Sequence, residues 1–178
     1  MDSSVPKGAH VLLDFIAGPE SHGRYDVIFG NHENTLAHPL TTMTIDQLMA
    51  AQLLWARRWG SSAAGRYQIM HGTLADLRKT LGLGGTEAFS PDLQDRIGYA
   101  LLKRRGYAAW MARQITTIDF AKSLAEEWAS LPVLAPTKGA HRMLAIGDSY
   151  YRGDGLNEAR VKPAQFEGAL TVAHAASA

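Results

Sequence analysis

The stretch that most constrains this chain is Thr44 to Gly60. Thr44-x-x-Gln47 is a capping box, in which a threonine hydroxyl and a glutamine amide satisfy each other's backbone donors at a helix start. Ile45, Leu48, Met49, Gln52, Ala56 and Trp59 then fall on one face, and Gly60 closes the run. A start, an apolar stripe and a stop leave helix as the one reading. The same grammar recurs elsewhere. Ser90-Pro91 sets a cap and a proline at the first helical position before Leu93, Ile97, Ala100 and Leu101, with Gly106 as the stop. A further helix is predicted from about Thr117 to Pro132, with Ile118, Ala121, Leu124, Ala125 and Trp128 inward, and helical spacing is also predicted over Tyr67 to Leu83 through Leu74, Leu77 and Leu81.

The first helix is read over Ala9 to Ala17 from Val11, Leu12, Phe15 and Ile16, with Gly18-Pro19 as a breaker pair that ends it just before Glu20. Tyr25 to Phe29 alternates as a short strand does and runs into Gly30-Asn31. Asn31 to Thr42, punctuated by Pro39, reads as a loop or an irregular small sheet. Beyond Pro132, glycines and prolines divide the chain into short pieces until Pro163 opens a last helix through Phe166 and Leu170, and the tail from Ala173 to Ala178 is expected to fray. The expected fold class is α+β, mostly α, with a small β region after the first helix. At 178 residues with no repeat and no convincing linker, a single domain over 1–178 is expected.

Composition excludes several partners. Lys and Arg number 18 against 17 Asp and Glu, a formal charge of +1, too balanced for a protein held to nucleic acid by phosphate neutralisation. The absence of cysteine removes disulfides and thiolate metal sites. His22, His32 and His38 with Glu33 match no helical His-Glu-x-x-His spacing, so neither a metal nor another cofactor is expected. The N-terminus does not read as a secretory signal, and no apolar run is long enough to span a membrane.

Glu20 is the residue whose setting suggests chemistry. A glycosidase must protonate the glycosidic oxygen, which requires a carboxylic acid that keeps its proton near neutral pH. A glutamate following an apolar helix, with Phe15, Ile16 and Pro19 close in sequence, has the partial burial that favours the neutral form. From position alone a glutamate at a helix end is more often a solvated surface residue.

Ordered motifs decide between these. Glu20-Ser21-x-Gly23-Arg24-Tyr25-Asp26-Val27-Ile28-x-Gly30 is followed by His38-Pro39, Ser62-x-x-Gly65-Arg66-Tyr67-Gln68, Phe89-Ser90-Pro91-x-x-Gln94-Asp95 and Glu127-Trp128-Ala129-Ser130-Leu131-Pro132. In order and type these blocks, spanning roughly residues 12–135, resemble the phage lambda lysozyme family of endolysins. The resemblance implies a lysozyme-like fold; residues 136–178, which it does not reach, are expected to form a helical C-terminal extension of the same domain. It implies cleavage of the β-1,4 bond between N-acetylmuramic acid and N-acetylglucosamine in peptidoglycan, with Glu20 as the acid. The product it implies is a 1,6-anhydro end, made by a lytic transglycosylase that needs one carboxyl group. A hydrolase would use a second carboxylate, roughly 6.5–9.5 Å away if it inverts or about 5 Å if it retains. Asp26 and Glu33 are the local candidates. Asp26 either faces the cleft or binds Arg24 or a turn amide, and Glu33 reads as a solvated loop charge. A non-catalytic peptidoglycan-binding module and an enzyme acting on chitin are the alternatives.

The resemblance also makes Tyr67 and Gln68 sugar contacts, where the plain reading has Tyr67 packing and Gln68 capping a helix. Ser62 either hydrogen-bonds near the acid or caps the following helix, and Tyr25 joins the candidate substrate contacts. Trp59 and Trp128 are expected in the core, whereas Trp55 and Trp110 remain possible sugar platforms. Arg57-Arg58 and Lys103-Arg104-Arg105 are basic clusters that either attract an anionic wall or are solvated faces. A monomer is expected to accumulate in the host cytoplasm and reach the wall through a holin or another machine.

Overall fold

In the computed structural model, which describes residues 2–176, Thr44 and Gln47 make the reciprocal cap that their spacing predicts. The Gln47 N–H donates to the Thr44 hydroxyl at 3.2 Å, and the Thr44 N–H donates to Gln47 Oε1 at 2.9 Å. Gly60 ends that helix in the left-handed region, at φ 79°. Among the described residues there are seven α-helices: α1 (Lys7–Ser21), α2 (Ile45–Trp59), α3 (His71–Leu81), α4 (Pro91–Arg104), α5 (Tyr107–Met111), α6 (Thr117–Glu127) and α7 (Pro163–Ala176). Three single turns of 3₁₀-helix, Phe29–Asn31, Glu33–Thr35 and Leu40–Thr42, fill the segment between α1 and α2. A two-stranded antiparallel sheet pairs β1 (Thr137–Lys138) with β2 (Met143–Leu144), Thr137 opposite Leu144. The protein is thus mostly α within the α+β class. No helix among the described residues is long and apolar enough to cross a membrane.

Several boundaries differ from the sequence reading, each for a local reason. α1 does not stop before Glu20: it continues through Gly18 and Pro19 to Ser21, which puts Glu20 inside its last turn. Proline fixes φ at a helical value and removes one backbone donor, a modest loss so near a helix end. Termination comes from His22 and Gly23, whose φ angles of 54° and 77° turn the chain left-handed. Tyr25 to Phe29 is not a strand. Ile28 makes an isolated bridge with Ala64, and Val27 and Ile28 are both buried, so the alternation is broken. The chain turns directly afterwards, at Gly30.

α3 begins at His71, because Tyr67 and Gln68 belong to a tight turn closed by Ala64 and Ile69. The Ile69 N–H donates to Ala64 O at 2.8 Å, with Gly65 and Gln68 both at positive φ. After Gly106 the chain re-enters helix as α5, which the stop signal had hidden. In α6 Ile118 is 42% exposed and Phe120 takes the inward place. α7 remains helical to Ala176, and the last two residues of the tail expected to fray lie outside the described residues.

The chain divides into two compact units. One comprises the chain up to Ser4 and Glu20–Gly98; the other comprises Val5–Pro19 and the chain from Tyr99 onward. The first packs Ile28, Leu40, Ile45, Leu48, Ile69, Leu74 and Phe89 in its core. Its buried Gln52 donates to the carbonyls of Ser62 and Ile69, each at 2.8 Å, tying α2 to the tight turn. The second buries Leu12, Leu13, Ile16, Phe120, Leu124, Trp128, Phe166 and Leu170. There Phe15 stacks on Phe166 at 5.8 Å and Trp110 on Phe120 at 4.6 Å. Residues after Pro132 therefore supply part of this core.

Candidate active site

Glu20 lies half-buried in the last turn of α1, and the two residues that leave the helix fix its surroundings. Ser21, 3% exposed, donates its hydroxyl to Arg66 O at 2.8 Å. The Arg66 guanidinium in turn donates to Gly23 O at 2.7 Å. One residue of the tight turn thus holds the end of the Glu20 helix by its backbone and its side chain.

Arg66 is itself framed. Its guanidinium lies over the Tyr25 ring at 4.7 Å and the Tyr67 ring at 5.9 Å, both within cation–π range. Each tyrosine directs its hydroxyl at Asp95 on α4, which is fully buried. Tyr67 donates to Asp95 Oδ1 at 2.7 Å and Tyr25 at 3.0 Å, and the Asp2 N–H donates to Oδ2 at 2.8 Å. A buried carboxylate is tolerable only when its lone pairs are filled, as they are here. Burial, then the Asp95 hydrogen bond, pushes the Tyr67 hydroxyl far above the usual tyrosine range, so it remains a donor.

Gln94, also fully buried, completes the frame. Its Oε1 accepts the Arg66 N–H at 2.8 Å, and its amide donates to Tyr25 O at 3.1 Å and Phe89 O at 3.0 Å. Gly65 is required beside it. A Cβ there would stand 2.3 Å from Gln94 Oε1 and 2.8 Å from Phe89, and its φ is +75°. The Glu20, Gly65-Arg66-Tyr67 and Gln94-Asp95 blocks, separate in sequence, therefore form one hydrogen-bonded structure. The sequence assigns no individual role to Ser21, Arg66, Gln94 or Asp95, which the structure brings together here. For Gln94 and Asp95 the signal was two adjacent polar residues set between the inward-facing Leu93 and Ile97.

The other candidates are placed as follows. Asp26 is half-exposed and salt-bridged to Arg24, Nε to Oδ1 at 3.2 Å, as one of its two readings held. Arg24 also reaches Glu33, NH2 to Oε1 at 3.0 Å. These two bonds raise the Arg24 guanidinium, the Asp26 contribution being the larger. Glu33 is not a freely solvated loop charge: its side chain is 19% exposed and its Oε2 is buried with no hydrogen-bond partner. Both acids line an open hollow with Asn34, Leu36, His38 and Leu40. Ser62 Oγ accepts the His71 N–H at 3.0 Å, so it serves the start of α3. Tyr67 is 1% exposed, and Gln68 donates its amide to Gly65 O at 2.9 Å across the turn at φ 48°.

Trp59 is not a core residue. It is half-exposed, with His32 stacked on it at 4.2 Å and the Arg58 guanidinium 5.2 Å from its ring, whereas Trp55 and Trp110 are buried. Arg104 and Arg105 are not free basic groups. Both bind Glu127, at 2.9 and 2.7 Å, and Arg105 also binds Glu126 at 3.1 Å. Among the described residues no three His, Asp or Glu side chains converge as a metal site. What the arrangement offers chemically is one carboxyl group on a rigidly held helix end beside hydrogen-bonding side chains.

No curated protein and no solved structure matches the chain significantly. A family model described as Endolysin matches residues 16–156. This span takes in Glu20, the tight turn, α4 and Glu127, all blocks on which the resemblance rests. With most of its length matched, the chain belongs to the endolysin family, phage enzymes that degrade the peptidoglycan of the bacterial cell wall.

Proposed function

We propose that this endolysin cleaves the β-1,4 bond between N-acetylmuramic acid and N-acetylglucosamine as a lytic transglycosylase, with Glu20 as its acid and base. Glu20 donates its proton to the leaving glycosidic oxygen as that bond breaks. The muramic acid 6-hydroxyl attacks the anomeric carbon and gives up its proton to the Glu20 carboxylate, leaving a 1,6-anhydro end and regenerating the acid. The chemistry closes with one carboxyl group and no water.

The observation that carries this reading is the engagement of the nearby acids. Asp26 and Glu33, the candidate second carboxylates, share the Arg24 guanidinium. A carboxylate held in an ion pair is a poor base for water. The lysozyme-like fold and the single catalytic domain belong to the same proposal.

The test is the product. Digested peptidoglycan is expected to release muropeptides lighter by one water than hydrolytic products, seen by mass spectrometry. Reducing N-acetylmuramic acid ends alone would overturn transglycosylation in favour of hydrolysis. Glu20→Gln is expected to lower the rate by about 10²–10⁴-fold, the usual loss of a general acid, with an unchanged melting temperature. Near-normal lysis by that variant would remove Glu20 from the mechanism.

A further inference from the structure

The residues that brace the end of α1 do more than fill a core. We infer that Arg66 is a positioning residue that fixes Glu20 for proton transfer, and that Tyr25, Tyr67 and Asp95 exist as a frame to hold its guanidinium. This rests on Glu20 being the acid.

The argument is geometric. After Glu20 the chain leaves its helix through two successive left-handed residues, His22 and Gly23, and the first of these is not glycine. Such a turn is intrinsically unfavourable and persists only where its surroundings hold it. Arg66 provides that hold at two points on either side of His22, accepting the Ser21 hydroxyl on its carbonyl and donating from its guanidinium to Gly23 O. A hydrogen bond to one carbonyl needs only a lysine. What singles out arginine is the pair of aromatic rings, at 4.7 and 5.9 Å, which suit a flat guanidinium and not a compact ammonium.

The rings are oriented in turn by their hydroxyls on one fully buried carboxylate. A buried aspartate is a costly way to fill a core, since an apolar side chain of similar size packs as well or better. Its use here is explained if orientation, rather than stability, is what the cluster supplies. Displacing a reacting group by about 1 Å costs a rate on the order of 10²-fold.

The experiment compares Arg66→Lys, Arg66→Ala and Tyr67→Phe with the parent and with Glu20→Gln, each melted and then assayed well below its midpoint. Arg66→Ala is expected to lower kcat on the order of 10²-fold with KM nearly constant, and Arg66→Lys to recover little of the loss. A partly unfolded sample also lowers apparent kcat, but it scales the pH profile without moving it. A misplaced Glu20 alters the profile itself, so the alkaline limb of Arg66→Ala is expected to move relative to the parent. Tyr67→Phe keeps the ring and loses one anchor, so a smaller effect in the same direction is expected. If folded Arg66→Ala keeps both its kcat and its pH limb while Glu20→Gln is inactive, the positioning role is wrong and the catalytic assignment stands. If Glu20→Gln is active, the underlying reading has failed.

Discussion

Gly65 is the residue where backbone and packing demands meet most sharply. A methyl group there faces a left-handed backbone and two immovable neighbours, Gln94 and Phe89, both buried. Gly65→Ala is expected to cost about 2–4 kcal/mol, combining left-handed strain with overpacking. For a chain of this size that lowers the melting temperature by about 5–15 °C. Gly168 is the control: it lies within α7 with no atom within 4 Å of an added Cβ. Gly168→Ala is expected to stabilise by roughly 0.5–1 kcal/mol. Equal melting of the two variants would sink the account of Gly65. Single-residue chemistry also sets the response to pH. The hydrogen bonds that Asn157 and Leu156 donate from their backbones to Asp154 hold its carboxyl at about 2, and the Ser4 hydroxyl, then the Ser4 N–H, holds Asp2 low. Their folded-state values lie below the unfolded ones, so their stabilisation is present above about pH 4 and is lost as pH falls toward 2. Tyr67 has the opposite sign. Its raised value favours the folded state below the unfolded tyrosine value near 10, and that advantage is lost as pH climbs beyond it. Urea midpoints across this range should fall at both ends, and Tyr67→Phe should blunt the alkaline fall.

At the scale of elements, legibility followed how local the determinant was. α2 was readable from end to end because Thr44, Gln47 and Gly60 act within one turn of the ends they define. Thr44→Ala is accordingly expected to cost about 1 kcal/mol, measured as a shift in denaturant midpoint without a change in slope. Absence of any shift would mean that tertiary contacts alone hold this terminus. The end of α1 was misread because proline is a breaker on average, whereas the left-handed His22-Gly23 pair that stops the helix is held by Arg66, 43 residues from Gly23 in sequence. The Tyr25–Phe29 segment failed for the same reason. Its alternation suggested a ladder, but its backbone pairs with Ala63 to Gly65 for one bridge, and Gly65 then turns the chain away. Glu20 was visible in the sequence as a residue and as part of a motif. The clamp around it was not, because the roles of Gln94 and Asp95 appear only when α4 is brought against the tight turn.

For the whole molecule, the consequential feature is that neither compact unit is continuous in sequence. In the second unit, Leu12 and Ile16 of α1 lie in a core that the last third of the chain completes. That core includes Leu134, Leu144, Phe166, Leu170 and Ala173, all beyond or at the edge of the blocks that carry the resemblance. The C-terminal region is then not an appendage. Phe166, fully buried and stacked on Phe15, tests this with one side chain. Phe166→Ala is expected to cost about 3–5 kcal/mol, the range for emptying a phenylalanine site in a well-packed core. A chain shortened to residues 1–135 loses all of α7 and both strands as well. That fragment is expected to lack a cooperative melt by circular dichroism, to be degraded rapidly by a nonspecific protease, and to show no lytic activity. A fragment that melts cooperatively and still lyses cells would mean that Glu20 is supported by the resembling blocks alone. The residues after Pro132 would then serve some purpose other than supporting the proposed acid.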